Sequence, residues 1–131
     1  MGTWGSGNFD DDSARDFLAN MVAYWESIID RTLAGEMTQE AGWFTFQPGL
    51  ETIGGCLMPM LEIILAALEH LESDHCPEAQ KVENWSQQIL EVFDAEIDDW
   101  DPDDEFKVER RQVIEQTIDR LLKIARTRED A

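Results

Sequence analysis

The sequence predicts an all-α fold: a single domain over residues 1–131, built as a bundle-like array of about four helices with an ordered glycine- and aromatic-rich loop at its start. Three observations predict it. Apolar residues recur at helical spacing in four separate segments. Strong breakers stand between those segments, at Gly35, Pro48-Gly49, Pro77 and Pro102. The length of 131 residues with 43% hydrophobic content supplies one core without a disulfide framework.

The first helix opens on acidic residues. Ser13, with Asp16 three residues on, reads as a capping box, and Asp11 and Asp12 suit the positive end of the helix dipole. Ala14, Phe17, Leu18, Met21, Val22, Trp25, Ile28, Ile29 and Leu33 then follow a 3.6-residue period, and Gly35 is the stop. From Glu36 to Leu50 the period is lost. The brief alternation in "GWFTFQPG" has no partner strand in view, so the segment reads as an aromatic loop packed on the helices.

The second helix, "CLMPMLEIILAALEHLE", is apolar on nearly every side and is expected at the centre of the bundle. Pro59 must sit in its first turn or kink it. In the third, Pro77 takes a favoured first-turn position, and Val82, Trp85, Ile89, Val92 or Phe93, Ile97 and Trp100 form the stripe. "DDWDPDDE" breaks it. Asp101 is expected to cap and Pro102 to open the fourth helix, with Phe106, Val113, Ile114, Ile118, Leu121, Leu122 and Ala125 facing inward.

Charge limits the partners. The chain holds 29 acidic and 10 basic residues, net −19, so nucleic acid and anionic membrane surfaces are expected to be repelled and a basic protein attracted. The same acidity also serves solubility. The balance is uneven: the segment Asp94 to Glu105 has eight acids in twelve residues and no base, whereas residues 106–131 are net positive. That basic end is expected to lie near acidic neighbours. The N-terminus lacks a basic region followed by an apolar run, and the stretch Cys56 to Leu68 reads as too short to span a bilayer. Cys56 and Cys76 show no framework spacing, so a cytoplasmic location with free thiols is expected.

The opening "MGTWGSGNFDDDSARDF" resembles the start of an uncharacterised bacterial family, domain of unknown function 4259. The resemblance rests on Met1, Gly2, Trp4, Gly5, Gly7, Phe9 and Asp10, with Asp12 and Ala14 following. A looser likeness lies in "MPMLEIILAAL", where Glu62 stands in a later apolar helix. It implies a small helical domain and no known activity. Physically, Gly2, Gly5 and Gly7 permit left-handed or tight turns, which frees Trp4 and Phe9 to turn inward onto the first helix. The alternative, a loop cradling a phosphate, lacks a lysine and the strand-loop-helix frame, and three aspartates stand beside it.

Catalytic and metal motifs are weak, and neither a cofactor nor a metal site is assigned. Glu62 is expected to be a structural buried carboxylate, taking bonds from Trp4, Arg15 or the glycine loop, because an isolated buried charge needs donors. The His and Cys spacings form no zinc motif. "DDWDPDDEFKVER" fails as a calcium loop, with Asp104 in place of the glycine and Arg110 in place of the closing glutamate. Glu91 with Asp94, and Glu69 with Glu72, have the spacing of magnesium-holding pairs in all-α pyrophosphohydrolases, which is common in acidic helices.

Trp100 admits two readings: it plugs the third helix into the core, or it stands exposed in an acidic rim suited to a protein interface. The function favoured is therefore binding a basic protein through Asp94, Glu96, Asp98, Asp99, Trp100, Asp101, Asp103 and Asp104. Its most concrete form is an immunity- or antitoxin-type inhibitor of a basic toxin. The alternatives are a metal-dependent hydrolase and a structural or stress-related protein without a fixed partner. The oligomeric state is left open.

Overall fold

The computed structural model describes residues 5–40 and 44–131. Helix α1 is Asp12–Leu33. A two-stranded hairpin follows, β1 Thr38–Glu40 and β2 Phe44–Phe46. Helix α2 runs over Leu50–Glu69. Helix α3 is Ala79–Glu96, tightened into a 3-10 turn at Ile97–Trp100, and α4 is Asp104–Glu129. The main helix contacts join α1 to α2 and α3, and α4 to α2 and α3, so the four close a ring around one core. Val22, Ile29, Leu57, Leu61, Ile64, Leu65, Trp85, Ile89, Phe93, Ile118 and Leu121 fill it.

The caps differ from expectation at two places. Asp11, not Ser13, caps α1, with its Oδ1 accepting from Ala14 N at 2.7 Å. Asp103, not Asp101, caps α4, accepting from Phe106 N at 2.7 Å. Several aspartates stand side by side at each start, and the backbone selects the one in extended conformation. Gly35 does end α1. Its φ of +98° lets Gly35 N reach Thr32 O and Glu36 N reach Arg31 O, which closes a Schellman motif.

The aromatic loop is corrected to a hairpin. Thr38 pairs with Phe46, and Glu40 with Phe44. The partner strand is the polar "TQE", which carries no apolar alternation. Two side chains of α1 hold it: Tyr24 Oη donates to Glu40, and Arg31 Nη2 donates to Glu40 Oε1 at 3.1 Å.

Helix α2 absorbs Pro59 by widening. A π turn at Ile53–Leu57 immediately precedes it. Proline has no N–H and crowds the carbonyl four residues back, and a wider turn relieves both conflicts. The helix is long and apolar enough to cross a membrane by length and composition, yet its inner face is core. It is not enclosed on every side, for Pro59, Glu62, Ile63 and Ala66 are exposed.

The opening loop folds around its own aspartate. Gly7 N donates to Asp10 Oδ2 at 2.7 Å, and Asp10 N donates to Gly7 O at 3.1 Å. A Cβ on Gly5 or on Gly7 would stand 2.5 Å from Asp10 Oδ2. Of the left-handed or tight turns expected of these glycines, the tight turn is present at Gly7–Asp10, and neither Gly5 nor Gly7 has a positive φ. Phe9 is half-buried against the core; Trp4 lies outside the described residues.

Candidate functional site

The acidic corner is built by two helix ends meeting. As α3 tightens, Trp100 swings off its stripe and is 51% exposed, whereas Ile97 stays buried. Of the two readings of Trp100, the structure has the exposed one. Asp101 follows with φ +49°, its N–H on Asp98 O at 3.1 Å, and turns the chain toward the cap of α4.

The eight predicted binding residues divide by what they already hold. Arg111 makes a fork on Asp94, with Nε to Oδ1 at 2.9 Å and Nη2 to Oδ2 at 3.0 Å. That fork holds the Asp94 carboxyl below the usual carboxylate range. Lys107 Nζ reaches Asp98 Oδ1 at 2.6 Å, and the Lys107 ammonium is pushed up by that bond. Glu96 Oε1 accepts from Leu50 N at 3.2 Å, a cap supplied from a distance, because Gly49 has no side chain to cap α2. Asp103 caps α4. Asp99, Asp101 and Asp104 make no ion pair or side-chain hydrogen bond among the described residues. Asp99 and Asp101 flank Trp100 in the chain as unpaired carboxylates, and the Asp104 charge is felt by Lys107.

Glu62 is corrected. It is exposed, its side chain retaining 54% of its accessible surface, and among the described residues no donor from the N-terminal segment reaches it. Thr117 Oγ1 lies at 3.4 Å and Arg120 Nη1 at 3.7 Å. The helix places it on the outer edge of the α2–α4 seam, where water and α4 satisfy it. Arg15 turns elsewhere and binds the end of α2, donating to Leu71 O at 2.6 Å, to Glu72 O, and to Asp74 Oδ1 at 3.0 Å.

In each of the two carboxylate pairs one member is already held by an arginine of α4. Asp94 is on Arg111, and Glu69 is on Arg120 at 2.6 Å. Glu72 stands beyond the helix at φ +53°. Among the described residues, no three His, Cys, Asp or Glu side chains are grouped to hold a metal ion. Burial pushes both the Cys56 and Cys76 thiols up, which reduces thiolate and hence nucleophilicity.

Sequence reasoning missed a polar network between α1 and α3. Asp30 accepts from Trp85 Nε1 at 2.7 Å and from Lys81 Nζ at 2.8 Å. Glu26 lies 3.5 Å from Lys81 Nζ and 3.3 Å from His75 Nε2. The signal was a lone lysine at 81 in a long acidic stretch. A cavity of about 710 Å³ lies at the start of α1 and is lined by Asp10, Asp12, Asp16, Glu72 and Asp74 around Arg15. Both features tie elements together. In comparison with known proteins, no family model matches the chain, and no curated protein or solved structure matches it.

Proposed function

We propose that this chain is an acidic, helical protein-binding module that takes a basic protein at the corner between α3 and α4. Its most concrete form is an immunity- or antitoxin-type inhibitor that covers a basic toxin in the cytoplasm. One observation carries the reading: Trp100 is half-exposed between Asp99 and Asp101, neither of which has an ion pair or side-chain hydrogen bond among the described residues. A large aromatic in an unsatisfied acidic rim suits a desolvated anchor ringed by steering charge. The paired members, Asp94, Glu96, Asp98 and Asp103, shape the corner instead of contacting the partner.

The test is affinity capture from native lysate on three baits: the wild type, Trp100→Ala, and Asp99→Lys with Asp101→Lys. The expected result is a basic protein held by the wild type, eluted by salt and lost from both variants. A protein retained equally by all three baits overturns the reading.

A further inference from the structure

The α2–α4 seam holds a second cavity, of about 520 Å³, near the C-terminal ends of both helices. Its floor is Leu68 and Ile124, and its rim carries Arg120, Lys123 and Arg128 against one carboxylate, Glu69. Three cations to one acid runs against a chain with 29 acids and 10 bases. The cavity at the start of α1 shows the opposite balance, five carboxylates around one arginine.

The other bases of α4 explain why this surplus is unusual. Lys107 and Arg111 pair with Asp98 and Asp94 of α3, Arg126 pairs with Glu83, and Arg110 lines a separate cleft with Glu62. Arg126 and Arg128 also suit the negative end of the helix dipole in the last turn. Lys123 has neither role. It precedes the last turn, is exposed, and its Nζ has no partner among the described residues. Among the described residues Arg128 donates to the carbonyl of Asp74, at 3.3 Å, and to no other group, which leaves further N–H groups for a ligand. Arg120 is occupied by Glu69 at 2.6 Å and forms a wall.

We propose that this cavity binds a soluble amphiphilic carboxylate of the medium-chain fatty-acid class, its head on Lys123 and Arg128 and its tail on Leu68 and Ile124. The volume is within the ~300–1,000 Å³ typical of small-molecule sites, and apolar walls with a few convergent polar groups are their usual lining. The apolar floor of Leu68 and Ile124 favours a ligand that carries a tail over inorganic phosphate, which has none. A net charge of −19 opposes docking on an anionic bilayer, so the ligand is the free acid and not a membrane headgroup. This site is separate from the Trp100 corner and stands or falls independently of it.

The experiment titrates dodecanoate, below its micelle-forming concentration, into the full chain. Calorimetry gives affinity, and backbone amide NMR gives location. The expected result is one-to-one binding with shifts at Leu68, Ile124 and Thr127, and no such shifts from acetate, which has the head without the tail. Lys123→Gln should weaken binding about tenfold, the effect of losing one charged hydrogen-bond partner. Lys107→Gln removes the same charge outside the cavity and should leave the affinity unchanged. The proposal is overturned by absence of binding, by equal weakening in both variants, by shifts confined to other surfaces, or by dodecyltrimethylammonium binding the same residues as well. Co-sedimentation with anionic phospholipid vesicles, lost in Lys123→Gln, would also overturn it and make the seam a membrane contact.

Discussion

Arg111 holds Asp94 by both carboxylate oxygens, at 2.9 and 3.0 Å. The densest acidic segment of the chain is thus tied to its most basic helix. The pair is partly exposed, with side-chain accessibilities of 38% and 52%, so solvent screens it. Asp94→Asn is expected to cost about 0.5–1 kcal/mol at neutral pH, the upper range for exposed pairs. The Asp94 pKa is lowered by the Arg111 bond, so the stabilisation is complete above the ordinary carboxylate value of about 3.9. It is lost as the pH falls through the lower folded value. Urea unfolding of both proteins should therefore show a gap at pH 7 that closes in acid. A gap that persists after the carboxylate is protonated contradicts the assignment.

Trp85 is buried, and its indole N–H has Asp30 as its acceptor. Asp30→Ala removes that acceptor and leaves a part-buried donor without its protein partner. The expected cost is about 1–3 kcal/mol, the range for an unsatisfied buried group. The Lys81 pKa is raised, first by its bond to Asp30, so its contribution is present below the ordinary lysine range and lost as pH rises through the folded value. In Asp30→Ala the alkaline limb of the stability curve should flatten relative to the wild type. Thermal unfolding between neutral and strongly alkaline pH checks both points.

The cap of α4 gives a sharper contrast between neighbours. Asp103→Ala should cost about 1 kcal/mol, a typical N-cap loss. Asp101 has no capping bond and sits at φ +49°, where glycine is at ease. Asp101→Gly should therefore leave the melting temperature unchanged or raise it slightly. The reverse order of the two variants would return the cap to Asp101.

How far the fold was legible follows from the same elements. The stripes Val82, Trp85, Ile89, Phe93 and Ile114, Ile118, Leu121 were readable because burial repeats with the helical period. Phe106 and Val113 fit the stripe of α4 and are nevertheless 45% and 46% exposed, because the bundle does not cover that edge. The hairpin was hidden because Thr38–Glu40 is polar and gains its structure from pairing with Phe44–Phe46. Glu62 was misplaced for a related reason. Periodicity shows that a helix is apolar, but only the positions of α1 and α4 decide which edge remains in water. At the corner, the eight acids were legible as a cluster. Their division into paired and unpaired groups was not, since Arg111, Lys107 and Leu50 reach them only after α4 and α2 have packed against α3.

The unpaired group should announce itself in the free protein through Trp100. Its indole is half-exposed and flanked by Asp99 and Asp101, whereas Trp85 is sealed in the core. Fluorescence quenching by a cation and by an anion then becomes a probe of the local field. Caesium should be concentrated near Trp100 and iodide expelled, so caesium should quench a component that iodide barely touches. Trp100→Phe should remove that component. Asp99→Asn with Asp101→Asn should keep the emission but narrow the difference between the two quenchers. The field should also collapse with ionic strength, because the Debye length falls from about 10 Å at 0.1 M to about 3 Å at 1 M. Both quenchers should converge over that range. If caesium and iodide quench Trp100 equally at low salt, the carboxylates exert no field at the indole, and a basic partner would gain no steering there.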